Sequence, residues 1–296
     1  MLCYACKQKE GKYKLHGQVY CKDCFLRLFE RSVKRCVKKW KLIEANDRIA
    51  LAVSGGKDSM VMLHVISKIA SEYENVELFP FHLILGIDES YELDQLKHAI
   101  VNCEALGLKL LVISAKLKLG KSLNELLKVT KRKPCSLCGM IKRYLMNRVA
   151  YELRCNKLAT AHNASDVVTF FLQNMLSKNL DYIASLSPLA KSTHEKMVTR
   201  IKPLFLVTDS ETKTYAELSG IMYAKALCKY KKAPKVRKML DILERDIKGF
   251  SYRMAMSITE IAANLTRKEK PLTCKLCGFP SSSEVCGVCR ILRKAS

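Results

Sequence analysis

Residues 48–59 read RIALAVSGGKDS, and this stretch decides the fold. Its first half, residues 48–53, is a short apolar run typical of a buried strand, and residues 60–69 continue with the apolar spacing of a helix. The polar segment 54–59 therefore forms a turn from a strand into a helix. Its two glycines let consecutive backbone N–H groups point inward, and the positive end of the following helix faces the same point. A plain Gly-Gly turn would not need the serines, lysine and aspartate beside it, so the pattern predicts a phosphate site.

The segments that follow alternate between strand and helix patterns. Strands are predicted at residues 48–53, 78–87, 109–114 and 157–161. Helices are predicted at residues 60–69, 92–106, 137–153 and 166–176. This alternation predicts an α/β fold, a doubly wound parallel sheet with helices on both faces. Ligands of such sheets lie beyond the carboxyl ends of the strands, where loop 54–59 stands. The loop differs from the Walker pattern GxxxxGK[ST], so ordinary γ-phosphate hydrolysis is not implied.

Eight of the fourteen cysteines form two matched sets of CxxC pairs near the chain ends. The first set is Cys3, Cys6, Cys21 and Cys24, and the second is Cys274, Cys277, Cys286 and Cys289. Each set supplies four thiolates in a segment too short to fold unaided, so we expect one structural Zn²⁺ at each end. Redox-active CxxC pairs are the alternative, but they come singly on a thioredoxin-like pattern. The remaining Cys36, Cys103 and Cys155 fit no ligand spacing and are interpreted as packed thiols.

The chain is strongly basic. Its 52 Lys and Arg residues against 28 Asp and Glu give a net charge of +24, concentrated in clusters such as residues 128–133 and 229–238. A polyanion such as RNA is the natural partner, because neutralised phosphates release counterions. Solvated lysine-rich faces are the alternative reading, and an anionic membrane is disfavoured because no cluster lies on an amphipathic terminal helix. No apolar stretch reaches the length of a membrane span, so we expect a soluble, cytoplasmic protein.

The motifs together resemble those of a known family. SGGKDS at 54–59 resembles the PP-loop of the ATP pyrophosphatase (adenine nucleotide α-hydrolase-like) superfamily, which cleaves ATP between the α- and β-phosphates and adenylates a substrate oxygen. Segments 135–139 (CSLCG), 160–166 (TAHNASD) and 200–204 (RIKPL), with Cys228, narrow the resemblance. With both terminal cysteine sets, the whole chain resembles the TtcA/TtuA family of tRNA thiolation enzymes, and within it the TtuA/NcsA branch that makes 2-thiouridine.

This resemblance implies a division into four parts. The expected parts are an N-terminal zinc-binding module at 1–30, a PP-loop catalytic domain with an Fe–S site at 31–235, a helical extension at 236–270 and a C-terminal zinc-binding module at 271–296. The residues expected to bind ATP are Ser54, Gly55, Gly56, Lys57, Asp58, Ser59 and His162. For His162, which is expected to border the nucleotide, a structural histidine is the alternative. Mg²⁺ is expected to accompany ATP, and the family is typically dimeric, so a homodimer is expected.

The resemblance also implies the catalytic residues. Cys135, Cys138 and Cys228 are expected to hold a [4Fe-4S] cluster with one iron left open for sulfide. A third zinc site and a persulfide-carrying Cys135–Cys228 pair remain the alternatives. Lys142, one helical turn after Cys138, is expected to be catalytic rather than a surface lysine. Asp166 is expected to be catalytic too, although locally it forms half of a capping arrangement.

The resulting hypothesis is a tRNA 2-thiouridine synthetase. The uridine O2 is adenylated by ATP with release of pyrophosphate, and sulfur from the cluster site then displaces AMP. The sulfur source is expected to be a ubiquitin-like carrier protein or free sulfide. Another PP-loop adenylating ligase or a non-enzymatic zinc RNA-binding protein are the alternatives. The chain departs from the family pattern at Ala161 and Ser165, where glycine and aspartate are usual, and at Lys229, where proline is usual.

Overall fold

The computed structural model describes residues 1–230, 235–265 and 271–295. Its strands are β1 (Tyr13–Leu15), β2 (Gln18–Tyr20), β3 (Arg48–Ala52), β4 (Glu77–Ile84), β5 (Leu111–Ser114), β6 (Lys157–Ala159), β7 (Leu189–Ala190), β8 (Thr199–Ile201), β9 (Leu272–Thr273) and β10 (Pro280–Ser281). Its helices are α1 (Lys22–Lys39), α2 (Lys57–Ala70), α3 (Glu89–Ala105), α4 (Ala115–Leu119), α5 (Leu123–Lys128), α6 (Pro134–Glu152), α7 (Ala164–Leu176), α8 (Leu180–Ile183), α9 (Asp209–Leu218), α10 (Lys235–Asp246), α11 (Phe250–Asn264) and α12 (Gly287–Ala295).

Six strands form the central sheet, in the order β5-β4-β3-β6-β8-β7. All neighbouring pairs are parallel except β7 and β8, which are antiparallel. The predicted α/β fold with a mostly parallel sheet is therefore confirmed. The antiparallel edge was not predicted, because β7 has only two residues and β8 three, too few to show a periodicity.

Strand β3 lies at the centre because its residues 49–52 are apolar on both faces. Ile49 and Leu51 belong to the core formed with helices α1, α2, α7 and α9, whereas Ala50 packs on the opposite face with Val149 and Ala150 of α6. Successive strand residues point to opposite faces, so a run without polar residues requires helices on both sides. The chain supplies them as predicted, and α2 begins at Lys57, three residues earlier than predicted, so it starts inside the SGGKDS loop.

Each terminal cysteine set packs against a different part of the central domain. The hairpin of β1 and β2 contacts α1 and α9. The C-terminal set packs on α6, where a Cβ on Gly287 would lie 2.6 Å from the Met140 Sδ. In the part of the chain that the structure describes, each helix is too short or too polar to cross a membrane.

Candidate functional site

One cavity of about 1500 Å³ opens at the carboxyl ends of β3, β4 and β6. The strand order reverses between β3 and β6, because the chain runs from β3 to β4 and β5 on one side and then crosses over to β6 on the other. Such a switch point forms the ligand crevice of doubly wound sheets. The predicted site residues that line the cavity are Ser54, Gly56, Lys57, Asp58, Ser59, Cys135, Cys138, Lys142, His162 and Cys228. Two predicted residues, Gly55 and Asp166, lie outside this lining.

The shape of loop 54–59 depends on the positive φ of one glycine and on the hydrogen bonds of one serine side chain. Gly55 has φ +78°, and a Cβ there would collide with the Gln95 backbone. Only glycine fits such a position without moving the backbone. The buried Ser59 hydroxyl donates to the Gly56 carbonyl (2.8 Å) and accepts from the Ser54 N–H (3.1 Å). The loop is therefore shaped before any ligand arrives.

Lys57 is held between two carboxylates. Its Nζ lies 2.9 Å from Asp58 Oδ1 and 2.9 Å from Asp209 Oδ1. Burial acts to lower the pKa of Lys57, but the two carboxylates outweigh it and leave the pKa above its ordinary value. The ammonium therefore stays charged at the mouth of loop 54–59.

Asp209 is the functional residue that the sequence analysis missed. It opens α9, far along the chain from loop 54–59, and belongs to no phosphate-binding motif. A usable signal was present nonetheless: Thr208 and Glu211 form a capping box, the Thr-x-x-Glu pattern that marks a helix start. This capping pattern predicts that Asp209 is the first residue of a helix, but it does not predict that Asp209 lies beside Lys57.

Asp166 acts locally as a helix cap. The Asn163 side chain accepts from the Asp166 N–H (3.1 Å), and Asp166 accepts from the Asn163 N–H (3.3 Å). Arg237 lies 3.3 Å from the same carboxylate. Burial raises the pKa of Asp166, opposed by the Asn163 N–H and by Arg237. Ser165, one of the departures from the family pattern, accepts a hydrogen bond from the Asp209 N–H at 3.2 Å.

His162 lies on the cavity wall as a neutral side chain. Its Nδ1 is 3.0 Å from Thr160 Oγ1, and its ring meets Phe170 edge to face. Burial, with the cations Lys202 and Arg200 nearby, lowers the pKa of His162 to about 4. Near neutral pH it therefore offers a hydrogen-bonding ring rather than a charge to a ligand.

The three central cysteines face the cavity from two segments. Cys135 and Cys138 stand in the first turns of α6, and Cys228 lies in the extended stretch after α9. All three are free thiols, and the Cys135 Sγ donates to the Tyr230 carbonyl at 3.1 Å. Burial raises the pKa of Cys138, partly offset by the positive charge of Lys142 on the same helix. The predicted thiol trio and Lys142 therefore line the same cavity.

The terminal cysteine sets have a different, tighter geometry. Within each set the four Sγ atoms all lie within 4.8 Å of one another. Cys6 and Cys21 are 4.0 Å apart, and Cys277 and Cys286 are 3.8 Å apart. Thiolates bound 2.3 Å from one tetrahedral zinc lie about 3.8 Å apart, so these sets fit one ion each. Across residues 1–230, 235–265 and 271–295 the central trio does not meet this spacing.

Comparison with known proteins gives a family and several relatives. Residues 26–230 match a family model described as the PP-loop domain. The tRNA-5-methyluridine(54) 2-sulfurtransferase of Pyrococcus horikoshii is 33% identical, covering 98% of this chain and 93% of that protein. Cytoplasmic tRNA 2-thiolation protein 1 of Chlamydomonas reinhardtii is 29% identical, covering 98% and 84%.

One solved structure resembles the chain over nearly its full length. It is the U34-tRNA thiolase NcsA from Methanococcus maripaludis with its [4Fe-4S] cluster, with a TM-score of 0.86, 29% identity, and coverage of 99% of this chain and 96% of that one. The cavity geometry, the family model and these relatives agree. The chain therefore belongs to the PP-loop family, among the tRNA 2-thiolation enzymes.

Proposed function

We propose that this protein is an ATP-dependent tRNA-uridine 2-thiolase. The observation that carries the proposal is that loop 54–59 and the three central cysteines line one cavity, so the activated oxygen and the incoming sulfur can meet at one carbon. The balanced reaction takes uridine, ATP and sulfide to 2-thiouridine, AMP and pyrophosphate. The C2–O bond breaks, a C2–S bond forms, and the oxygen leaves on AMP.

The ATP half of the site would be provided by loop 54–59 and its neighbours. Backbone N–H groups of the loop and the start of α2 favour the phosphates, and Lys57 adds a fixed positive charge. Asp58 and Asp209 are the carboxylates beside the loop, and they are the candidates to hold Mg²⁺ that arrives with ATP. Neutral His162 would border the nucleotide. Asp166, which supports Asn163 and Arg237, would act on the site from behind the cavity wall.

The sulfur half would be provided by Cys135, Cys138 and Cys228. We assign them to a [4Fe-4S] cluster because all three thiols line one cavity, their sulfur atoms lack the spacing of a zinc tetrahedron, and the similar thiolase NcsA carries such a cluster. When bound, such a cluster has one iron without a protein ligand, which can carry the nucleophilic sulfide. Lys142 lines the cavity beside them and would stabilise negative charge as the leaving phosphate departs.

The RNA would approach across the basic surface in front of Cys135. Lys131, Arg132 and Lys133 are exposed there, directly before the first cysteine. They would contact tRNA phosphates, and the target uridine would turn out of its stack to enter the cavity.

We also propose a cytoplasmic location, a homodimer, sulfur supply by a carrier protein or free sulfide, and a four-part division of the chain with boundaries at residues 30/31, 235/236 and 270/271.

The test is reconstitution under anaerobic conditions. Protein carrying iron is incubated with tRNA, Mg-ATP and sulfide, and the nucleosides are then identified by mass spectrometry. The expected product is 2-thiouridine with stoichiometric AMP, and fragment mapping locates the uridine. AMP without any thionucleoside would instead favour another PP-loop ligase. If the protein contains iron and forms neither product, the thiolase proposal is wrong, and an RNA-binding protein without this activity is favoured.

The terminal cysteine sets are proposed to hold one structural Zn²⁺ each. We expect the purified protein to contain two zinc ions per chain, and Cys274→Ser to contain one. Because ligand binding and folding are coupled in such modules, the substitution should lower the free energy of unfolding by several kcal/mol. Metal analysis and chemical denaturation measure both effects. Cys155→Ser, at a buried thiol outside both sets, should retain two ions; one ion in that variant, or two in Cys274→Ser, would contradict the assignment.

A further inference from the structure

Six residues form a closed ring of polar contacts behind loop 54–59, in which the Asn163 backbone N–H supplies one link by donating to the Asp166 carboxylate. Each member contacts the next through a hydrogen bond or ion pair of 2.9–3.3 Å, in the order Lys57, Asp58, Asn163, Asp166, Arg237, Asp209 and back to Lys57. Five of the six members lie in helices α2, α7, α9 and α10, and the sixth, Asn163, caps α7, so the ring joins four helices. The member that closes it, Arg237, matches no motif, and the function proposed above gives it no role beyond its contact with Asp166.

Arg237 has the geometry of a bridge between two carboxylates. Its Nη1 lies 3.3 Å from Asp166 Oδ1, and its Nη2 lies 3.2 Å from Asp209 Oδ1. The same Asp209 oxygen is 2.9 Å from the Lys57 Nζ. One guanidinium can reach two acceptors in different directions because its donors are fixed in a planar fork, which a lysine ammonium on a single stem does not reproduce.

We propose that Arg237 is a positioning residue for ATP binding: it holds Asp209 and Asp166 in place so that Lys57 presents its charge to the phosphates. This inference rests on the proposed function for the identity of the ligand. It assigns to α10 a part in the nucleotide site that the sequence motifs do not reveal.

The charge balance of the ring supports this role. Three carboxylates face two cations, so the ring carries a net charge of about −1 when all its groups are ionised, next to a site for polyphosphate. Without Arg237 the net charge of the ring becomes more negative by one unit, and Asp209 and Asp166 lose the guanidinium that they share. The Asp209 carboxylate can then move with Lys57, so that the ammonium no longer faces the phosphates, and ATP binding weakens.

The position of Arg237 on its helix provides a matched control. Leu240 buries α10 against the core, and Arg237 turns inward with its side chain only 21% exposed. The next residue, Lys238, is exposed on the same helix. Lys238→Ala therefore removes the same charge from the same helix without touching the ring.

The experiment compares Arg237→Ala, Arg237→Lys and Lys238→Ala in the full-length protein. We expect Arg237→Ala to raise the KM for ATP about tenfold or more while kcat for AMP formation stays within about threefold, the signature of a lost ground-state contact. Arg237→Lys should recover part of the affinity, and Lys238→Ala should match the wild type. Calorimetric titration with a non-hydrolysable ATP analogue, without tRNA, should show the same order of affinities.

Several results would overturn the inference. They are an unchanged KM in Arg237→Ala, an equal rise in Lys238→Ala, or a fall in kcat with KM unchanged. The binding titration separates this inference from the proposed function. Thiouridine formation by the wild type, with unchanged analogue binding in Arg237→Ala, overturns the role of Arg237 alone. Analogue binding that weakens in Arg237→Ala, with no thiouridine from the wild type, upholds that role and overturns the thiolase assignment.

Discussion

Cys228→Ala is expected to abolish 2-thiouridine formation, by more than about a thousandfold, since removal of a group that holds the nucleophile has effects of this size. Cys228 reaches the cavity from the stretch after α9, separately from the other two cysteines on α6. Its loss therefore leaves two thiolates, too few to hold the cluster with one open iron. ATP binding should persist, because the ring behind loop 54–59 does not include this residue. Iron analysis, nucleoside mass spectrometry and ATP titration measure the three effects.

The control for this prediction is Cys155→Ala. Cys155 is a buried thiol in the core on the α6 face of the sheet and does not line the cavity. The variant should keep its iron and its thiolation activity, with some loss of stability from the smaller side chain. Thiolation by Cys228→Ala at more than about a tenth of the wild-type rate would contradict the three-cysteine assignment and favour sulfur delivery by another route.

Gly55→Ala is expected to weaken ATP binding strongly and to raise the KM for ATP by about a hundredfold or more. Two costs coincide at this position. The φ of +78° strains any residue with a Cβ, and that Cβ would collide with the Gln95 backbone in α3. Because Gln95 belongs to a helix, the loop must move instead, and its N–H groups lose their common direction. Steady-state kinetics and ATP titration measure the loss.

Gly120 supplies a matched control for the strain alone. Its φ is +76°, nearly the same, but a Cβ there would meet nothing within 4 Å. Gly120→Ala should therefore lower stability by about 1 kcal/mol without changing the KM for ATP. If the two alanine variants bind ATP equally well, the shape of loop 54–59 does not determine nucleotide affinity, and the account of the loop is wrong.

The parts of the fold that the sequence could predict are those with local signals. The SGGKDS loop, the apolar run before it and the alternation of strands and helices are each visible in short stretches of sequence. The structure confirms the turn from β3 into α2 and the alternation around the sheet. The antiparallel edge was missed because β7 and β8 together have five residues. Strand β8 is placed by pairing with β6, and β7 by pairing with β8, and such tertiary contacts leave no periodic pattern in the sequence.

The site shows the same limit in its chemistry. The cysteine spacings locate the two terminal sets and Cys135 with Cys138, because ligand distance along the chain is itself the signal. Asp209 and Arg237 reach Lys57 from α9 and α10, so only folding brings their charges together. Asp166 illustrates the reverse case: local reasoning identified its capping arrangement correctly, while its pairing with Arg237 is non-local.

The central claim is that one cavity activates the uridine oxygen and replaces it with sulfur. Transfer of a labelled oxygen tests it most directly. tRNA transcribed with uridine carrying ¹⁸O at O2 is incubated with the iron-loaded protein, Mg-ATP and sulfide, and the AMP is analysed by mass spectrometry. The account predicts one ¹⁸O in AMP for each 2-thiouridine formed. Unlabelled AMP, with thiouridine present or with the label retained in the RNA, would contradict it.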